Sequence, residues 1–131
     1  MTTIVTLSLL QFLADNGLGE LEKDLFWEKL GVEEDGLYIT DLGEAQERGM
    51  RRSTVYQIYS RGATDLAGYQ KLQQVVELLT KAYEICQLPA VPECGVKAVP
   101  NVTIMPPSTI VNGGEDVNGR VIYSITGKIY Y

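Results

Sequence analysis

Apolar residues recur every three or four positions between Asp65 and Cys86, which is the spacing of one face of an α-helix. The members of this stripe are Leu66, Tyr69, Leu72, Val76, Leu79, Tyr83 and Cys86. Thr64 or Asp65 can cap the amino end, because a short side-chain oxygen accepts hydrogen bonds from free backbone N–H groups. The pattern predicts a long helix over residues 65–86. Such a helix is stabilised mainly by burying its stripe, so it requires a partner surface.

Alternation of apolar and polar residues, typical of β-strands, is strictest in residues 120–131 and is also clear in residues 53–60. Successive side chains of a strand point to opposite faces. One face of the last strand therefore carries Ile122, Ser124, Thr126, Lys128 and Tyr130. Gly127 leaves a gap in the apolar row on the other face, where we expect a helix to approach the sheet closely.

Two further strands and a second helix are predicted from shorter patterns. The Asp35-Gly36 pair between apolar runs favours a hairpin with strands near residues 25–30 and 37–41. Residues 99–104 predict a short extended segment. Residues 2–15 predict a helix, which the following Asn-Gly pair ends because glycine accepts the left-handed conformation.

These elements predict an α+β fold, with a mainly antiparallel sheet of about four to five strands packed against the long helix and the N-terminal helix. The chain has 131 residues, of which 45% are hydrophobic and 21% charged. This size and composition suit one globular domain over residues 1–131.

Residues 42–52 are predicted to form a polar loop that carries the densest positive charge of the chain, at Arg48, Arg51 and Arg52. These arginines are either the solvated flank of the next strand or a contact to an acidic neighbour or phosphate. Trp27 is interpreted either as a core residue or as an exposed residue at a subunit contact, and Tyr131 is a further candidate for an interface.

Residues 112–119 are predicted to form a second polar loop, because an Asn-Gly pair stands at each end. The loop offers Asn112, Glu115, Asp116 and Asn118 as candidate interface residues. It lacks the oxygen spacing of a calcium loop and the GxxxxGK[ST] pattern of a phosphate loop. We expect it to become ordered on contact with a partner protein.

The composition narrows the chemistry that the chain offers. It has no histidine, which excludes Ser-His-Asp and Cys-His catalysis and removes the commonest transition-metal ligand. Cys86 and Cys94 are interpreted as reduced thiols, with a disulfide across the Pro89–Pro92 turn as the alternative. We find no catalytic residues, no metal ligands and no cofactor motif. The net charge of −6 argues against tight binding of free double-stranded DNA.

The order of the segments resembles a known family. An N-terminal LLQFLADNGLGEL leads into DLFWEKL, and RRSTVYQIYSRG is followed by the helix GYQKLQQVVELLTKAYEICQLPAV. NVTIMPPSTI, a polar loop and GRVIYSITGKIYY follow. The pattern resembles the small minor capsid proteins of long-tailed bacteriophages and their prophages, which are similar to the tail terminator family.

The resemblance implies a structural virion protein with an α+β fold and a ring of subunits, usually a hexamer. Such a ring caps the tail tube and presents a surface to the head connector or stopper protein, and DNA only passes through its channel. The resemblance therefore implies a place at the head–tail junction after assembly in the bacterial cytoplasm, with no membrane contact.

Two other functions remain open from the residues. One is another head–tail connector or a protein-binding module that uses an open strand edge. The other is a histidine-free enzyme, with a metal held by Glu115 and Asp116 or by the acidic turn at residues 33–35.

Overall fold

The computed structural model describes residues 2–28, 35–46, 51–82 and 87–131. The two helices are α1 (Val5–Asp15) and α2 (Asp65–Lys81). The strands are β1 (Leu25–Trp27), β2 (Gly36–Gln46), β3 (Arg52–Arg61), β4 (Gln87–Leu88), β5 (Val99–Pro100), β6 (Thr103–Ile104), β7 (Val111–Glu115) and β8 (Val121–Tyr130). A short 3₁₀ helix spans Pro92–Cys94.

Six strands form one open sheet in the order β1-β2-β3-β8, with the far edge of β8 shared by β6 and β7. β6 pairs with the end of β8, where Ile104 lies opposite Ile129, and β7 pairs with its start, where Val111 lies opposite Ser124. β4 and β5 form a separate two-stranded sheet. The α+β class predicted from the sequence is confirmed in this coarse form.

The core lies between the two helices and one face of the sheet. Helix α1 is enclosed almost all round, and its buried residues are Val5, Thr6, Leu7, Ser8, Leu9, Leu10 and Leu13. They pack with the central strands through residues such as Ile58 and Ile129, both fully buried. Most residues of α1 are apolar, and a helix of this composition belongs in a core, which explains its position.

Helix α2 packs on the sheet with a face that differs from the predicted stripe. Thr64 caps it, since its Oγ1 accepts the Ala67 N–H at 3.1 Å. The buried face consists of Gly68, Leu72, Val75 and Leu79, whereas Leu66 is 66% exposed. The reason is a close approach at Gly68, whose carbonyl accepts the Ser60 hydroxyl at 2.8 Å. The helix ends at Lys81 rather than Cys86, and residues 83–86 lie outside the described residues.

The predicted hairpin between residues 25–30 and 37–41 is wrong. β1 and β2 pair in parallel, with Leu25 opposite Leu37. Gly36 is part of β2 and not of a two-residue turn. Its φ of +154° lets the backbone pass Asp24 closely, since an added Cβ would lie 2.9 Å from the Asp24 carbonyl carbon.

The prediction of a polar loop over residues 42–52 is also wrong. β2 continues to Gln46 and pairs with β3 from Arg52 onward. Residues 41–45 are all exposed, so neither face of this part of β2 has to be apolar. The sequence therefore lacks the alternation of apolar and polar residues that is typical of a strand. Residues 47–50, including Arg48, lie outside the described part of the chain.

Gly127 provides space for a side chain of the neighbouring strand and not for a helix. Tyr56 lies directly opposite it in β3, and an added Cβ would lie 2.9 Å from the ring carbon Cε1 of Tyr56. Burial raises the pKa of the Tyr56 hydroxyl, which has no hydrogen-bond partner among the described residues. The ring therefore fills the gap on the core face of β8.

Candidate functional site

Apart from Trp27 and Arg48, the candidate interface residues from the sequence fall into two groups at opposite ends of the sheet. Asn112, Glu115, Asp116 and Asn118 belong to β7 and the turn that follows it, beside the start of β8. Arg51, Arg52 and Tyr131 lie beside the start of β3 and the end of β8. The structure thus divides the residues between two surfaces with different chemistry.

At the first end, Asp116 is the centre of an ionic cluster that we define as Arg61, Asp116, Arg120 and Asp35. Asp116 Oδ2 lies 3.4 Å from Arg61 Nη1 and 3.2 Å from Arg120 Nε. Arg120 Nη1 also pairs with Asp35. The side chains of Arg61 and Asp116 are only 8% and 7% exposed. Asp116 is therefore enclosed by its own chain and is not a free contact residue.

The ionised form of Asp116 is favoured. Its Oδ1 accepts the backbone N–H groups of Arg120 and Asn118, each at 2.9 Å. The hydrogen bond from Arg120 is the main cause that lowers the pKa of Asp116; the Asn118 bond and the charges of Arg120 and Arg61 act in the same direction, while burial opposes them. The carboxylate is thus charged at neutral pH and fixes the turn of the β7–β8 hairpin.

The prediction of a polar loop over residues 112–119 is wrong for residues 112–115, which belong to strand β7, whereas a turn follows them. Asn112 lies opposite Tyr123, and Glu115 lies opposite Val121. Between them the register shifts at Gly113 and Gly114, a bulge in which Asn112 Oδ1 accepts the Gly114 N–H at 2.8 Å. Local side-chain bonding therefore completes a hairpin where composition alone indicated a loop.

Exposed apolar residues gather around this hairpin. We define the β7 edge patch as Val117 in the turn together with Leu66 and Tyr69 of α2, which are 87%, 66% and 37% exposed. Val111, 53% exposed, lies opposite Ser124 and therefore faces away from α2. Tyr69 contacts Tyr123 edge to face at 5.2 Å between ring centroids, which ties α2 to β8. A groove of about 360 Å³ lies between α2 and residues 108–110 beside the patch. Apolar surface of this kind is typical of protein contacts.

At the opposite end, two cations flank one aromatic ring. We define the cationic site as Arg51, Lys128 and Tyr130. Arg51 Cζ lies 5.7 Å from the Tyr130 ring centroid, and Lys128 Nζ lies 5.1 Å from it. Arg51 Nη2 donates to the Asn101 carbonyl and to Thr103 Oγ1, both at 3.2 Å. Among the described residues, no carboxylate pairs with Arg51.

Arg52 and Tyr131 lie on the other face of the same strands and have an internal partner. Arg52 Nη2 lies 3.1 Å from Glu44 Oε2, and the Tyr131 hydroxyl donates to Glu44 Oε1 at 3.2 Å. The Arg52 guanidinium also lies over the Tyr131 ring, 5.4 Å from its centroid. These contacts join β2, β3 and the end of the chain in the exposed part of the sheet.

Trp27 is half-buried and packs toward the N-terminal helix. Its Nε1 donates to Thr6 Oγ1 at 2.9 Å. This contact supports the interpretation of Trp27 as a packing residue, because a buried indole requires a hydrogen-bond acceptor.

Both sheet edges carry features that hinder the addition of another strand. Each has a register shift, at Asp41–Gly43 in β2 and at Asn112–Glu115 in β7. In each edge strand, a side chain of the strand accepts a hydrogen bond from a nearby backbone N–H group. Asp41 Oδ1, for example, accepts the Gly43 N–H at 2.8 Å. Bulges and locally satisfied donors are common protection of exposed edges. They make the side-chain surfaces, and not the backbone edges, the better candidates for recognition.

Sequence reasoning selected Arg51 but missed its neighbours Lys128 and Tyr130. The signal was present, since these residues share one face of the last strand. The residues of the β7 edge patch were missed because two of them had been assigned to the buried stripe of α2. Cys94 is a free, exposed thiol.

The described residues contain no group of three or more His, Cys, Asp or Glu side chains that could hold a metal ion. Within the same ranges, none of the helices combines the length and apolar character needed to span a membrane. No protein-family model and no curated protein matches the chain. The described surfaces offer apolar contact at one end of the sheet and cationic contact at the other.

Proposed function

We propose that this chain is a structural protein of a long-tailed bacteriophage, a tail terminator whose copies form a ring on the tail tube. The ring, usually six copies in the family that the sequence resembles, joins the tail to the head connector or stopper protein. The resemblance in the order of segments supports the proposal. So does the open six-stranded sheet with two helices, which agrees with the α+β fold that the resemblance implies.

The observation that carries the proposal is the β7 edge patch. Val117 stands at the turn of a hairpin and is 87% exposed, and exposed apolar residues that lie together mark protein contacts. The hairpin is held in place by the ionic cluster and by Asp65, whose Oδ1 accepts the Val121 N–H at 2.9 Å. A pre-ordered apolar projection suits a protein contact, since little conformational entropy is lost on binding. In the proposal this surface meets the tail tube protein.

The charge of the chain fits passage of DNA through a channel without adhesion. A net charge of −6 repels phosphate groups at long range. Each subunit of a ring would contribute this negative charge. In the proposal, DNA therefore passes through the channel without being bound by the ring.

The test is to replace Val117 with Asp and to measure the joining of tails to heads in a phage that depends on the altered protein. We expect joining to fall at least about tenfold, because a central apolar contact residue typically contributes about 2 kcal/mol or more. The matched control is Asn118→Asp, which adds the same charge at the next position of the turn. Asn118 is exposed, so the control should join normally.

Normal joining with Val117→Asp in a folded, assembled protein would contradict the role of the patch. Joining that fails at the head connector while tail tubes remain capped would favour the neighbouring connector function over the terminator.

A further inference from the structure

The groove beside the β7 edge patch combines apolar side chains with negative charge. It has a volume of about 360 Å³. Residues 108–110 line one side of it, and the other side consists of Tyr69, Gln73, Val76 and Glu77 of α2. Val76 and Ile110 pack against the core but are only partly buried. The groove therefore offers apolar side chains that a partner can cover.

The wall of the groove opposite α2 is held against the sheet. The Ser108 N–H donates to the Thr126 carbonyl at 2.8 Å, and Ser108 Oγ accepts the Thr126 N–H at 2.9 Å. Pro106 and Pro107 precede Ser108, and their rings fix φ and restrict the backbone. The groove is thus formed before a partner arrives, so little conformational entropy is lost on binding.

The charge of the groove has one sign. Glu77 is the only charged side chain among the described residues that line it. In residues 108–115, which run along the facing edge of β8, Glu115 is likewise the only charged residue. Neither carboxylate lies within 4.0 Å of a Lys or Arg in the described part of the chain, including Lys81 one helical turn after Glu77. Both carboxylates are exposed and can pair with a cation of another molecule.

The strand register places Glu115 on the helix side of the sheet. The Tyr123 ring contacts Tyr69 of α2, so this face of β8 looks toward the helix. Val121 is two residues earlier on the same face of β8, and Glu115 lies opposite it. The Val121 N–H donates to Asp65 Oδ1, which puts Glu115 beside the first turn of α2.

The two carboxylates lie near opposite ends of the groove. From position 65, beside Glu115, to Glu77 the axis of α2 rises about 18 Å at 1.5 Å per residue. Tyr69 and Val76 lie between these ends on the groove side of the helix. A complementary partner therefore has a cation at each end and apolar side chains between them.

We infer that this groove binds a segment of the tail tube protein in which large apolar side chains lie between two Lys or Arg residues. This inference rests on the proposed function and names the chemistry of the partner segment. The apolar side chains contact Val76, Ile110 and the exposed part of Tyr69, and the cations pair with Glu77 and Glu115. An extended segment of about five or six residues spans the distance between the two carboxylates. Nucleic acid is not the occupant, because the carboxylates repel phosphate groups.

The first test measures co-sedimentation of the purified protein with purified tail tubes of the phage that depends on it, at low ionic strength. Glu77→Lys with Glu115→Lys places like charges against the cations of the segment. We expect the dissociation constant to rise at least about tenfold and the difference to shrink as salt is added. The matched control is Glu20→Lys with Glu93→Lys, which makes the same change in net charge at exposed positions outside the groove and should bind like the unmodified protein.

The second test fills the groove without changing its charge. Gln73→Trp places an indole in the groove and should raise the dissociation constant for tail tubes at least about tenfold, because the apolar side chains of the segment are kept out. Gln74→Trp is the matched control. It adds the same side chain at the next position, which is also exposed but does not line the groove, and it should bind like the unmodified protein.

Far-UV circular dichroism should show that all four variants are folded. If the unmodified protein binds tail tubes and either groove variant binds them equally well, the groove is not the binding site; the proposed function, which Val117→Asp tests separately, would still stand. An unmodified protein that does not bind tail tubes at all would overturn both.

Discussion

The two ends of the sheet use the same residue types for different purposes. At the start of β8, Asp116 sits between Arg61 and Arg120, and all three belong to one enclosed cluster. At the end of β8, Arg51 lies beside Tyr130 without a carboxylate among the described residues. The difference shows that what an arginine does depends on the acceptors within its reach: at the first end these are carboxylates of the same cluster, and at the second they are the neutral oxygens of Asn101 and Thr103.

The largest loss of stability is expected from breaking the closed end with Asp116→Asn. The neutral amide cannot balance the buried Arg61 or accept the same strong bonds from the Arg120 and Asn118 N–H groups. Thermal unfolding at pH 7 should show a midpoint lower by about 10 °C or more. The matched control is Glu115→Gln, one residue earlier and exposed, which should unfold like the unmodified protein.

The stability difference between the unmodified protein and Asp116→Asn depends on pH, and the direction of this dependence follows from the pKa of Asp116. The folded-state pKa of Asp116 is lowered, so its contribution to stability is fully present above the usual Asp pKa of about 3.9 and is lost as the pH falls through the lower folded value. The difference in unfolding midpoint between the unmodified protein and Asp116→Asn should therefore be constant near neutral pH and shrink below about pH 4. A difference that grows on acidification would contradict the assignment.

A smaller loss is expected between the two ends, where Tyr56 fills the gap at Gly127. Gly127→Ala places a methyl group against the ring and should lower the free energy of unfolding by about 1–3 kcal/mol in denaturant titration. Tyr56→Phe removes a hydroxyl with no partner among the described residues and should change stability by less than about 1 kcal/mol. A Gly127→Ala protein as stable as the original would show that the sheet is not closely packed here.

The smallest effect on stability is expected at Arg51. Arg51→Gln should change the free energy of unfolding of the dissociated subunit by no more than about 0.5 kcal/mol, since an exposed cation contributes little to folding. A loss of stability as large as that caused by Asp116→Asn would show that the two ends of the sheet contribute equally to folding, and would contradict the comparison. The measurement is chemical denaturation at a concentration at which the unmodified protein is dissociated.

The helices and strands with strong local patterns were predicted from the sequence, but which strands pair with each other was not. Periodicity located α2, β3 and β8, because a helix stripe and a strand alternation are properties of neighbouring residues. The parallel pairing of β1 with β2 depends on contacts that no local pattern contains. Likewise, β7 was interpreted as a loop because its Gly-Gly bulge and Asn resemble turn residues.

The candidate site shows the same division. The arginines near residue 50 were identified by their charge alone, but only the fold places Arg51 beside Tyr130 and Arg52 beside Glu44. Asp116 was selected as an exposed contact residue, whereas the fold encloses it because Arg61 comes from a strand more than fifty residues earlier. The β7 edge patch required knowledge of how α2 is rotated on the sheet.

The most direct test of the proposed ring is native mass spectrometry of the purified, unmodified chain across a range of concentrations. A subunit of 14.5 kDa should give one closed assembly, at about 87 kDa for six copies, without a ladder of intermediate sizes. A species that stays at the mass of one subunit at high concentration, also when tail tubes are added, would contradict the account.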